Sequence, residues 1–133
     1  MSYTMVINVL LVAVAVWFVY SRLAPAKGLR TLTPQEFDEE LKQNRHSVLI
    51  DVREPHEVKQ GYIAGAKNIP LSKIKKRLNE IPADKKIYLY CRSGVRSRQA
   101  ASILRKNGFR ELAQLQGGIM SWRGARHIPP RTG

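Results

Sequence analysis

"KIYLYCRSGVRSRQAASILRKNG", Lys86 to Gly108, holds the change of period that decides the fold. "KIYLY" (Lys86 to Tyr90) is a short apolar and aromatic run of the kind that forms a buried strand. "RSRQAASILRKNG" then sets Ala100, Ile103 and Leu104 on one side of a helix that begins near Ser97, with Gly108 as its stop. Between them lies "CRSGVRS", Cys91 to Ser97, with the only cysteine of the chain. A strand that turns through a tight loop into a helix is half of a crossover connection. In open α/β sheets ligands bind beyond the carboxyl ends of such strands.

The same alternation extends in both directions. "TPQE" (Thr33 to Glu36) is a capping box with Pro at the first helical position, so a helix is expected through about Lys42, with Phe37 and Leu41 inward. "SVLIDV" (Ser47 to Val52) reads as a buried parallel strand. "EPHEVKQG" is a short helical turn, "AKNIP" a brief strand ended by Pro70, and "LSKIKKRLNEI" spaces Leu71, Ile74 and Leu78 as on a helix. "LAQL" is a last strand, and "GGIMSWRG" a last helical turn carrying Trp122. Alternating strands and helices predict a doubly wound, mainly parallel sheet flanked by helices.

The chain opens with "MSYTMVINVLLVAVAVWFVYSRLAPAKGLR", which has no charged side chain before Arg22. Tyr3 to Tyr20 is close to the roughly 20 residues that cross a bilayer, and Trp17, Phe18 and Tyr20 suit an interfacial aromatic belt. A cleaved signal peptide would carry a basic leader, which is missing, although "APA" at Ala24 to Ala26 imitates a cleavage site. A core helix would show a polar face, and this run has none. The predicted organisation is a transmembrane anchor over 1–24, a linker over 25–30, one α/β domain over 31–126 and a flexible tail over 127–133. Arg22, Lys27 and Arg30 follow the span, so the positive-inside rule puts the domain in the cytoplasm: a single-pass protein of the cell membrane.

Of the 133 residues, 23 are Lys or Arg and 10 are Asp or Glu, for a net charge of +13. Such an excess favours an anionic partner, either a small substrate or a lipid surface. The basic residues are dispersed and not interleaved with aromatics, so no nucleic-acid partner is expected. One cysteine precludes an internal disulfide and fits a reducing compartment. His46, His56 and His127 have no metal-ligand spacing with Cys91, and no metal or cofactor is expected.

Cys91 therefore sits where backbone N–H groups and a helix N-terminus converge. Gly94 permits a tight turn there, and Arg92 and Arg96 add positive charge. Such surroundings lower a thiol from its usual value near 8.5 and make it nucleophilic, and the same cradle attracts an anion. Against this stands the plain alternative of a buried structural cysteine, which is seldom flanked by "RSGVR".

Three separated stretches resemble the rhodanese (sulfurtransferase) family. "DVREPHEVKQGYIAGAKNIP" (Asp51 to Pro70) resembles its signature around the second strand, "CRSGVRS" its active-site loop, and "LQGGIMSW" (Leu115 to Trp122) its closing motif. Tyr62 stands where the family usually has His. The resemblance implies a rhodanese-like fold and a catalytic Cys91. Arg92, Ser93, Gly94, Val95, Arg96 and Ser97 would form the substrate- and persulfide-binding loop, with Asp51 and Arg53 a structural polar pair beside it. It also implies partners: a small anionic sulfur donor such as thiosulfate, and a thiol or cyanide acceptor. Related phosphatases carry Cys-x5-Arg, whereas here four residues separate Cys91 from Arg96, a smaller ring suited to sulfur. The alternative implied by the same resemblance is a membrane-tethered binding or persulfide-carrier module without turnover of its own.

Overall fold

The computed structural model describes residues 2–23 and 28–128. "APA", Lys27 and most of the expected tail lie outside the described residues, as does the side chain of Arg22. The first helix, α1 (Tyr3–Leu23), has 21 residues. At about 1.5 Å per residue it is long enough for a hydrocarbon core of about 30 Å. It is apolar enough to cross a membrane, and no residue of Tyr3–Tyr20 is covered by the rest of the chain.

The domain alternates β1 (Leu29–Leu32), α2 (Pro34–Gln43), β2 (Val48–Asp51), α3 (Pro55–Val58), β3 (Tyr62–Ile63) and β4 (Lys67–Asn68). Then come β5 (Ile87–Tyr90), α4 (Val95–Lys106), β6 (Leu112–Leu115) and β7 (Arg126–His127). Five strands form one sheet in the order β1-β6-β5-β2-β4, every pair parallel. The capping box at Thr33 forms as expected: its Oγ1 accepts from Glu36 N–H, and the Glu36 carboxylate accepts from Thr33 N–H.

Side chains of the central strand alternate between two cores. Ile87 and Leu89 point to the α4 side, where they meet Ile50, Ile69, Ile74, Ala100 and Leu104. Tyr88 and Tyr90 point to the α2 side, with Phe37, Leu115, Ile119 and Trp122. Phe37 is fully buried and meets both Tyr88 and Trp122 edge to face, with centroids 5.6 and 6.0 Å apart. A sheet buried on both faces explains the nearly unbroken apolar run of "IYLY".

Four features differ from the sequence expectation. Leu29 and Arg30, expected in a linker, begin β1, which pairs with β6 at the sheet edge. Its ends Leu29 and Leu32 are buried while Arg30 and Thr31 face out, so only two of four residues carry an apolar signal. "LSKIKKRLNEI" forms two 3₁₀ segments, Leu71–Lys76 and Leu78–Glu80, and not an α-helix. Ile74 is buried, and a three-residue spacing lies on one face of either helix type. α4 begins at Val95, before Ser97, because Gly94 adopts φ 111° and turns the chain directly into the helix. His127, expected in the tail, belongs to β7, which pairs antiparallel with β3 and sets its ring 5.1 Å from that of Tyr62.

Candidate active site

The chain runs from β2 outward to β4 on one side and returns to β5 on the other. The carboxyl ends of β2 and β5 thus border the crevice where strand order reverses, and Cys91 follows Tyr90 directly at that point. Cys91 is 1% exposed, packed at the floor of the loop. Gly94 N–H donates to Cys91 Sγ at 2.9 Å, and Ser97 Oγ lies 3.6 Å from the sulfur. Val95, Arg96 and Ser97 occupy the first turn of α4, whose N–H groups have no acceptor within the helix.

The loop is clamped from outside by the segment after β6. Ile119 N–H donates to Cys91 O at 2.9 Å, and Met120 N–H to Arg92 O at 3.3 Å. Gly118, at φ 63°, lies so close to this loop that a Cβ there would collide with the carbonyl groups of Arg92 and Cys91. Arg126 then donates to Ile119 O and Trp122 O at 2.7 and 2.9 Å, tying β7 to the same segment.

Of the sequence-predicted loop residues, Arg92, Ser93 and Val95 are exposed, Gly94 and Arg96 are half-buried, and Ser97 is fully buried. Arg96 is held differently from a free cation. Its guanidinium forms a two-pronged pair with Glu57 of α3, at 2.5 and 2.7 Å. The bonds from Arg96 hold the Glu57 carboxyl far below its usual value, at about 2, against the opposing pull of burial. Among the described residues Arg92 of the loop and Arg98, which lines a cavity with Ser93 and Gly94, form no ion pair with a carboxylate, so they supply positive charge there without such a counter-ion.

Asp51 and Arg53 form the expected polar pair, both buried. Arg53 Nε and Nη2 donate to the two Asp51 oxygens at 3.0 and 2.7 Å, and Nη2 also reaches Gly61 O at 2.7 Å. The Arg53 guanidinium lies over the Tyr90 ring, 5.7 Å from its centroid. Tyr90 OH accepts from Ile63 N–H at 3.0 Å, and burial together with the Asp51 charge pushes this phenol upward. These contacts tie Asp51 at the end of β2 to Arg53, Gly61 and the face of Tyr90 on β5.

Sequence reasoning missed Glu57, Gln114 and Thr31. Glu57 carried a local signal, because it stands three residues after Glu54 at a helix start and accepts from Glu54 N–H at 3.1 Å. Its bond to Arg96, 39 positions away, had none. Gln114 is buried within "LAQL", where it accepts from Ser97 Oγ at 2.7 Å and donates to Thr31 Oγ1 at 3.1 Å. A polar residue inside a fully buried strand was the available signal.

A family model described as the rhodanese-like domain matches residues 33–125. YqhL of Bacillus subtilis, an uncharacterized protein, is 44% identical over 120 residues, which cover 90% of this chain and 93% of that one. A protein of Allochromatium vinosum named sulfurtransferase is 39% identical over 96 residues, covering 72% of this chain and 88% of its own. Among solved structures, a rhodanese-related protein from Thermoplasma volcanium superposes with a TM-score of 0.68 at 30% identity, covering 75% of this chain and 99% of that one. With its parallel sheet, its thiol at the strand-order reversal and these relatives, the chain belongs to the rhodanese-like domain family.

Proposed function

We propose that this protein is a sulfurtransferase in which Cys91 carries the sulfur as a persulfide. The observation that carries the reading is the Cys91 sulfur on the loop floor, with Gly94 N–H directed at it and the free N–H groups of a helix start beside it. That arrangement suits a thiolate or a persulfide anion. A sulfurtransferase among the close relatives supports the same class.

In the first step the Cys91 thiolate bonds to the outer sulfur of thiosulfate, the S–S bond of the donor breaks, and sulfite leaves with its electron pair. Negative charge then rests on the terminal sulfur of the Cys91 persulfide, within reach of the loop N–H groups. After that sulfur takes a proton from water, an acceptor thiolate or cyanide bonds to it and Cys91 leaves as thiolate. The product is the acceptor's hydropersulfide or, once the proton returns to water, thiocyanate. Donor and acceptor act in separate steps, so the kinetics are ping-pong. Arg92 at the rim attracts the anionic donor, and no resident metal or organic cofactor takes part.

With thiosulfate and cyanide varied together, double-reciprocal plots should be parallel, and Cys91→Ser should abolish thiocyanate formation. Full turnover by Cys91→Ser would overturn the assignment. In this reading α1 is a single membrane anchor, supported by its length and apolar character, and the domain is cytoplasmic, a side favoured by Arg22, Lys27 and Arg30 after the span.

A further inference from the structure

A chain of hydrogen bonds runs from the thiol into the sheet. The Cys91 thiol lies 3.6 Å from Ser97 Oγ, which reaches Gln114 Oε1 at 2.7 Å and, at a longer 3.1 Å, Gly94 O, itself already bonded by Arg98 N–H; Gln114 Nε2 donates to Thr31 Oγ1 at 3.1 Å. Cys91, Ser97 and Gln114 are all at least nine-tenths buried, and Thr31 at the far end is exposed. Gln114 and Thr31 stand directly opposite each other in the parallel register of β6 and β1. Among the described residues no buried side-chain N or O atom lacks a partner.

Along these side chains every donor points away from the sulfur, which separately accepts from Gly94 N–H at 2.9 Å. That polarity suits a neutral thiol, which can donate to Ser97. It leaves a thiolate, which only accepts, with the Gly94 N–H but without a donor from Ser97. For Ser97 to donate to a thiolate it must release Gln114 Oε1, and a buried carbonyl oxygen left alone is costly. A primary amide resolves the conflict, because it presents a donor group and an acceptor of nearly equal shape. Turned over, Gln114 gives its N–H to Ser97 Oγ and accepts from the Thr31 hydroxyl, and Ser97 then donates to the sulfur. Gln114 borders a shallow cavity of about 230 Å³ shared with Thr31, Gly94 and Arg98, which leaves it room to turn.

We propose that Gln114 is a positioning residue whose amide reverses this hydrogen-bond chain as Cys91 passes between thiol and thiolate. The reversal delivers the Ser97 hydroxyl to the sulfur both when it attacks and when it leaves. No proton travels along the chain, since the amide only turns. The thiol proton goes to water at the loop mouth. The inference rests on Cys91 being the reactive nucleophile.

Gln114→Glu tests it, because an ionised carboxylate keeps the shape and accepts from both Ser97 and Thr31 but cannot reverse. The measurement is the second-order rate of Cys91 alkylation by iodoacetamide, on the full chain in detergent micelles. It is made at about pH 9.5, above the range of documented buried glutamates. Four proteins are compared: wild type, Gln114→Glu, Ser97→Ala and the double variant, each with its melting temperature recorded. Gln114→Glu should slow alkylation roughly 10- to 100-fold, the kinetic equivalent of one hydrogen bond to a charged group. In the Ser97→Ala background the same change should cost less than about 3-fold, since the group through which Gln114 acts is gone. An unchanged rate in a folded Gln114→Glu overturns the inference. So does an equal loss in both backgrounds, which would trace the effect to the added charge alone. An unreactive Cys91 in the wild type would instead sink the nucleophile assignment on which the inference stands.

Discussion

Glu57 receives N–H bonds from two directions, from Glu54 at the start of its own helix and from both prongs of Arg96. Its carboxyl is held at about 2, well under the ordinary 4.5, chiefly by Arg96. A group depressed in the folded state adds stability above its unfolded value and loses it as the pH falls toward the folded one. The Glu57 contribution is therefore complete above about pH 4.5 and lost on acidification toward pH 2. In thermal melts between pH 6 and 2, wild type should lose its advantage over Glu57→Gln across that window; a difference independent of pH would contradict the pairing. At this scale the sequence was readable where a local motif carries the partners, as in the capping box of Thr33 and Glu36. Asp51 and Arg53, two apart at a strand end, could be paired through the family resemblance of their stretch. Glu57 with Arg96, and Ser97 with Gln114, could not, because only the folded sheet brings them together.

Elements were legible in proportion to the apolar surface they bury. β2, β5, α2 and α4 bury whole faces and announce themselves through period and caps. β1 and β7 depend on pairing with neighbours already in place, and β7 is exposed at both residues, so neither carries a pattern. The segment after β6 shows how an element with little regular structure can fix a loop. Gly118 backs directly onto the carbonyl groups of Cys91 and Arg92, and its neighbours Ile119 and Met120 hydrogen-bond to those same carbonyls. Gly118→Ala would add a Cβ against backbone, at a φ that L-residues avoid. It should cost about 1–3 kcal/mol in chemical denaturation. Because the Cys91 loop must move to relieve the contact, sulfur transfer should fall more than stability alone explains. Wild-type turnover in this variant would show that the clamp does not position the loop.

For the molecule as a whole, the net charge and the proposed membrane anchor point the same way. Five of the ten carboxylates are engaged in ion pairs among the described residues, and they answer only six of 23 basic side chains. The surface potential is therefore positive, favourable both to an anionic sulfur donor and to the anionic inner face of a membrane. Arg30, counted with Arg22 and Lys27 as flanking charge, is in fact an ion-paired residue of β1, bound to Glu40. That pairing does not remove it from the flanking charge, because Lys and Arg near a span count whatever acidic residues accompany them, so the expected orientation rests on Arg22, Lys27 and Arg30. A reporter fused after Gly133 should be active on the cytoplasmic side, and activity only on the outer side would reverse the orientation. The central claim is that the loop after β5 exists to hold sulfur on Cys91. Its most direct test is the intact mass of the full chain after a single exposure to thiosulfate. The account predicts a gain of one sulfur atom, mapped to Cys91 and removed by a thiol reductant. A chain whose mass stays unchanged under thiosulfate, or one that gains sulfur elsewhere, would contradict it.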